Sequence, residues 1–465
     1  MTGGVVQRGA VPPGLRRRWV GRLLAVAVLA EICAGAVAVA HVRTANRSGW
    51  LSADLLGGSV AARPATPDRL PDVRPAADRT AEVRGLLEHR AAALLRRDRA
   101  GWLDGIDPRA AAFRAKQSAV FDALAAVPLQ RWEYRLDPGQ ERSLGSAARR
   151  RYGAPSWVPA VTLRYALRRV DGDPTERSMV FTFVQRSGRW YLASDADVTA
   201  DGVRSWRGLW DFGRVLARSG RSSLVLAHPS NAGRLATFTA AVDDAVPAVT
   251  AVWGPGWRRQ VAVLLPDTQT EMAALVGQRF ALARIAAVAI ADHADARSGV
   301  ARGQRVVVNP MNLHRLTPLG RRIVLRHEIT HIASRGSTSE SMPTWLIEGF
   351  ADYVGYAGAG LPPGIVAPDL RALVRAGTWD GALPADRDFR GDAPGLAVAY
   401  EEGWTACRLI ASRAGTAGLV RLYRMVGASQ EPGSRAVDPA LRSVLHLTYP
   451  RFVASWRGAV RAELG

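Results

Sequence analysis

The chain has 465 residues, 48% of them apolar, and 62 Lys plus Arg against 41 Asp plus Glu, a formal net charge of +21. That length implies two or more domains, and the apolar share excludes a wholly disordered chain. The positive charge is nearly all arginine, scattered and without a nucleic-acid motif, so no nucleic-acid partner is expected and an acidic membrane or wall surface is the natural attraction.

Arg8, Arg16, Arg17, Arg18 and Arg22 form a basic tail over 1–22, ahead of a mostly apolar run over 23–42. That run is long enough to cross a bilayer core as a helix. The arginines place its N-terminus in the cytoplasm and the rest of the chain outside it, with Trp19 at the interface. The chain is therefore expected at the cell membrane as a single-pass protein. Glu31 is a costly residue within the span, and Ala38-Val39-Ala40 offers a cleavage site, but the run exceeds a signal core and is read as an uncleaved anchor. Cys33 lies in this run and Cys407 in the distant C-terminal half, so no disulfide framework is expected. Residues 43–78, with Pro64, Pro67, Pro71 and Pro75, read as an extended linker.

Residues 79–198 read as a separate α+β unit. Helices are expected over 81–97 and over 108–126, the second after a cap-like Asp107. Strands follow over 130–136 and 160–167, and a hairpin joins 179–185 to 190–193 through Arg186-Ser187-Gly188-Arg189. Helices first and a curved antiparallel sheet after them resemble the cone of nuclear-transport-factor-2-like domains, which implies either a docking or spacer domain or a small ligand pocket.

The C-terminal half, 206–465, begins with strands expected over 223–227, 260–265, 285–291 and 305–309. Helices are expected over 232–252 and 268–276. Together these describe a small twisted sheet ahead of a mostly helical lobe.

The chemistry gathers after the last of these strands. Thr317-Pro318 reads as an N-cap and a first-turn proline, opening a helix over 319–335 that Gly336 stops. Within it stands His327-Glu328-Ile329-Thr330-His331. Two histidines four apart share one helix face and can hold one metal ion, and Glu328 stands beside them, placed to move a proton of water. A second helix is expected from Pro343, with Ser341 as a possible cap. It carries Trp345-Leu346-Ile347-Glu348-Gly349-Phe350-Ala351-Asp352-Tyr353. Glu348 can supply a third, oxygen ligand. Asp352, one turn on, can accept the spare ring N–H of a ligating histidine, His327. Both carboxylates sit in an otherwise apolar run, unlike a solvated acidic face.

These two stretches together resemble the gluzincin zinc metallopeptidases of the thermolysin and aminopeptidase type, more narrowly the bacterial peptidase MA-like domains. The resemblance covers about the last half of the chain. It implies Zn2+ held by His327, His331 and Glu348, with Glu328 as general base. It also implies an edge strand, within 285–309, that pairs with the backbone of a peptide or protein substrate. A donor for the oxyanion of the tetrahedral intermediate is implied in the helical lobe. Tyr400, on a helix expected over 396–413, has the right place in the order, and His314 and Tyr353 are rivals. Helices over 419–426 and 441–464 complete the lobe. The exopeptidase signature of the aminopeptidases is missing, so an endopeptidase is expected.

The expected fold is thus α+β: a transmembrane helix, a cone-like domain, and a gluzincin-type domain. Two function classes compete. One is a membrane-anchored zinc peptidase facing outward. The other is a non-catalytic scaffold that keeps the fold while the cone domain binds a ligand or partner.

Overall fold

In the computed structural model the described residues are 76–198, 204–277 and 285–465. The expected anchor over 23–42, its arginine cluster and the linker up to residue 75 lie outside them. One described helix is long and apolar enough to cross a bilayer, Pro229–Trp253. Its Phe238, Val242, Val246, Val249 and Trp253 are buried in the protein core, which gives that apolar face a partner within the protein.

The first unit starts with helices α1 (Ala76–Leu95), α2 (Arg99–Asp104) and α3 (Ala111–Leu124). The short α2 was not expected; Asp98 caps it by accepting from the Gly101 amide at 2.9 Å. Asp107 does not cap α3, whose N-cap is Ala110. Its buried carboxylate instead takes the guanidinium of Arg186 at 3.0 Å, across the unit.

Strand β1 (Leu129–Arg142) is followed by helix α4 (Ser146–Tyr152) and strands β2 (Ser156–Leu167), β3 (Thr175–Val180), β4 (Thr182–Arg186) and β5 (Arg189–Ser194). They form a five-stranded antiparallel sheet in which β2 pairs β1 on one side and both β3 and β4 on the other. The expected hairpin is therefore two strands, β4 and β5. The run before it, broken at Phe181, pairs back onto β2.

In the second unit come β6 (Leu216–Ser219), β7 (Ser223–Ala227), α5 (Leu235–Trp253), β8 (Val261–Leu265), α6 (Gln269–Val276), β9 (Ala287–Ile290), β10 (His293–Asp295), β11 (Val300–Arg302) and β12 (Arg305–Val308). The sheet order is β6-β7-β8-β12-β9: β7, β8 and β12 run parallel, and β6 and β9 close the two edges antiparallel. Strands β7, β8, β9 and β12 are buried at every position, as expected of a sheet covered on both faces.

Alternation along those strands assigns the two faces. Val225, Ala227, Val261, Val263, Val306, Val308, Ala287 and Ala289 pack with the helices of the second unit. Leu224, Leu226, Ala262, Leu264, Val288, Ile290 and Val307 share a core with Leu94, Trp102, Phe121, Trp132, Leu163 and Tyr165 of the first unit. Ion pairs pin that seam, one buried and one half-buried. Arg305 on β12 meets Asp171 through two bonds of 2.7 Å, and Arg177 on β3 meets Asp292, just past β9.

The lobe follows: α7 (Pro318–Ser334), α8 (Thr344–Tyr356), α9 (Pro363–Val366), α10 (Pro368–Ala376), α11 (Leu396–Ala428, broken at Gly415), α12 (Ser434–Leu445) and α13 (Tyr449–Leu464). Gly415 has φ 71°, so the two helical halves expected there meet at a left-handed glycine. Two neighbouring carboxylates on α11 brace the lobe. Glu401 accepts the Leu370 amide at 2.6 Å, and Glu402 accepts the Trp379 indole N–H at 2.7 Å. Burial pushes Glu401 up to about 8 and Glu402 up to about 7, against their amide and indole donors. A raised carboxyl binds its proton more tightly when folded, so stability is highest below the ordinary carboxylate range and falls as pH rises towards 8. Thermal unfolding between pH 5 and 8 checks this: the Glu401→Gln, Glu402→Gln pair should flatten the slope, and an unchanged slope would refute it.

Candidate metal centre

Helix α7 begins where its caps place it: Thr317 Oγ1 accepts from the Gly320 amide at 3.0 Å and Pro318 takes the first turn. It is buried along most of its length because α5, α8 and the sheet surround it. His327 and His331 lie one turn apart, with their Nε2 atoms 3.0 Å from each other.

Helix α8 returns across α7. Pro343 occupies its N-cap position; the Ser341 hydroxyl instead donates to Ser429 O at 3.3 Å, so Ser341 is not the cap. Two glycines set how closely α8 approaches its neighbours. A Cβ on Gly349 would lie 2.2 Å from Gly403 O on α11, and one on Gly355 3.1 Å from Ile323 O on α7. Held by this backbone contact, Glu348 brings Oε2 to 3.4 Å from His327 Nε2 and 3.5 Å from His331 Nε2. Asp352 Oδ1 lies 2.8 Å from His327 Nδ1. Accepting that N–H fixes the tautomer whose Nε2 lone pair faces His331 and Glu348.

This donor set fits zinc. Metal–ligand bonds of ~2.0–2.1 Å at tetrahedral angles separate neighbouring donor atoms by roughly 3.3 Å. The three separations here, 3.0, 3.4 and 3.5 Å, match such a triangle. Both Glu348 oxygens are buried without a hydrogen-bond partner, which is costly unless a cation meets them. His327, His331 and Glu348 are the group among the described residues that could hold a metal ion.

Glu328 is fully buried, and the Ala289 backbone amide is the one group that donates towards its carboxylate among the described residues. Burial pushes its carboxyl up to about 7, with His327 pulling down and Glu348 pushing up. Burial drives His331 down to about 4, against the pull of Glu348, so it is neutral and free to ligate. Burial also works on His327, but Asp352 and Glu348 more than reverse it and hold that ring above its ordinary value. Glu348 stays below the carboxylate range in spite of burial, because His331 and His327 favour its charge. Asp352 is raised by burial, with His327 opposing.

The residues weighed as oxyanion donors fall in three places. Tyr400 is buried on α11, its ring against Phe389 at 5.2 Å between centroids. Tyr353 pairs its hydroxyl with Thr416 Oγ1 at 2.9 Å and lines a cavity of about 390 Å3 with Tyr356 and Trp404. None of the three His and Glu donors lines that cavity. His314 is exposed on the single turn Leu313–Arg315.

Two neighbours of the centre were not foreseen. Arg335 is buried at the end of α7, and Tyr423 sets its hydroxyl 2.8 Å from Thr338 Oγ1. Both feel the charge of Glu348. The signal for Arg335 was its four-residue step beyond His331, the same spacing that joins the histidines. Tyr423 arrives from the far half of the broken α11, and nothing local marks it.

No family model and no curated protein matches the chain. Its structural neighbours include M1 zinc metallopeptidases and LTA4 hydrolase, all of low identity. A variant of the M1 zinc metallopeptidase from Deinococcus radiodurans is 16% identical, with a TM-score of 0.33, and the match covers 62% of this chain and 60% of that one. A two-domain M1 zinc metallopeptidase variant bound to L-arginine is 14% identical, with a TM-score of 0.31 over 62% and 60%. Native yeast LTA4 hydrolase is 11% identical, with a TM-score of 0.33 over 72% and 60%. The chain thus spans about 60% of the length of each of these structures.

Proposed function

We propose that the chain is a zinc-dependent peptidase of gluzincin type, anchored in the cell membrane with its catalytic part outside the cytoplasm. One observation carries the chemistry: His327 Nε2, His331 Nε2 and Glu348 Oε2 face one another at 3.0–3.5 Å beside a buried carboxylate, Glu328. His327, His331 and Glu348 would hold the ion, and bound zinc supplies Lewis acidity and brings the pKa of water towards roughly 7. Glu328 takes a proton at its carboxylate and returns it to the leaving amine. Asp352 keeps His327 in its ligating tautomer, and Tyr400 donates to the oxyanion. The substrate is a peptide or protein whose backbone lies along β9, an edge strand of the sheet. The cone-like reading of residues 79–198 belongs to this proposal too, supported by helices that precede a five-stranded antiparallel sheet.

Elemental analysis tests the metal. The protein from residue 76 on should purify with one zinc per chain, and His327→Ala, His331→Ala and Glu348→Ala should each lose it; full occupancy in all three would overturn the assignment. Topology is tested separately in the full chain. A reporter fused after Gly465 should be active only outside the cytoplasm, and activity inside would refute the exported reading while leaving the zinc site standing.

A further inference from the structure

The side of β9 that faces away from β12 can be read from two hydrogen bonds. The Asn309 amide donates to Ala286 O at 2.9 Å, and Arg335 Nη2 donates to Ala289 O at 2.9 Å. In the antiparallel ladder with β12, Ala289 stands opposite Val306. Alternate residues therefore point their amides to opposite sides: Ala286, Val288 and Ile290 towards β12, Ala287 and Ala289 outward, where the Ala289 amide meets the Glu328 carboxylate. The side chains of those outward residues are only methyl groups, packed in the core that includes α7. The edge backbone can therefore lie close to the metal helix.

Arg335 is 6% exposed, and its Nε has no partner. Among the described residues the bond to Ala289 O is its one hydrogen bond, and it has no ion pair. A buried guanidinium so sparsely satisfied is expensive, and its position explains what it does. Arg335 extends the line of His327 and His331 by one further turn, so the helix that carries the ligands also grips the strand edge.

We propose that Arg335 is a positioning residue: by holding the outward carbonyl of Ala289, it fixes β9 against the metal helix so that an extended peptide laid along Ala287 and Ala289 enters the centre in register. The carbonyl keeps a second lone pair for an incoming amide. The substrate class this implies is extended polypeptide read through its backbone, rather than single aminoacyl derivatives. This rests on the peptidase reading above.

The test compares zinc-loaded wild type, Arg335→Lys and Arg335→Met on two substrates. One is a long internally quenched peptide, and the other an aminoacyl nitroanilide too short to lie along β9. Arg335→Met should lower the ratio of kcat/KM for the long substrate over the short one by about 10-fold, the scale of one hydrogen bond. Arg335→Lys, which keeps a donor, should recover part of that ratio. Hydrogen exchange reads the strand directly: residues 285–291 should exchange faster in Arg335→Met, with α7 unchanged. Parallel loss on both substrates, or unaltered exchange over 285–291, overturns the proposal. Should the wild type cleave neither substrate, the peptidase reading fails by itself, and the exchange measurement still decides whether Arg335 positions β9.

Discussion

Glu328→Gln is expected to keep the zinc and the fold and to lose hydrolysis by a factor of about 10²–10⁴, the contribution typical of a positioned general base. The change is nearly isosteric, and Glu328 donates nothing to the cluster of His327, His331 and Glu348. The Ala289 amide that meets its carboxylate can equally donate to the side-chain oxygen of glutamine. Removing a buried carboxylate with a raised pKa relieves a desolvation cost, so the variant should be at least as stable as the parent. Peptide cleavage and zinc content measured on one sample decide the matter. Retained cleavage in Glu328→Gln would sink the hydrolase reading, and loss of zinc would mean that Glu328 had been assigned the wrong role.

The largest effect on stability is expected at the seam between the two units. Asp171→Asn leaves Arg305 as a buried charge with a neutral partner, and breaking a buried pair in this way costs about 3–5 kcal/mol. Both groups are buried, at 3% and 5% side-chain exposure. Asp171 also accepts the Leu167 amide at 2.7 Å, a bond that asparagine can keep. The loss should therefore report the ion pair and not the turn. Urea unfolding measures it; a difference under about 1 kcal/mol would put the pair in the class of exposed bridges. The same seam carries a whole sheet face, so a chain beginning near Trp206 would present Leu224, Leu226, Ala262, Leu264, Val288, Ile290 and Val307 to water.

The centre was legible because its chemistry is local. The steps His327 to His331 and Glu348 to Asp352 are each one helical turn, and Thr317-Pro318 marks where the first helix begins. The approach of α8 to its neighbours was less visible, since Gly349 and Gly355 act by what they lack, and the surfaces they admit come from α11 and α7. The runs Val261–Leu265 and Arg305–Val308 were recognisable as strands. Their unbroken apolar character also signals burial on both faces, but a sequence does not say what covers the second face. Here it is the first unit, read from the sequence as a separate piece. The six residues of α2 are too few to show a helical period, and Asp107 resembled a cap because its distant partner, Arg186, lies beyond any local pattern.

The two-faced sheet also sets an order in time. Strands β7, β8 and β12 are parallel neighbours separated by long stretches of chain, the kind of pairing that forms slowly. One face of each is sheltered in large part by residues that leave the ribosome earlier, among them Trp102, Trp132 and Tyr165. Synthesis from the N-terminus therefore makes the shelter available before the strands that need it. The metal helix comes after β12 in the chain, and Glu348 after that. A nascent chain would thus carry no assembled centre until its earlier half had been made.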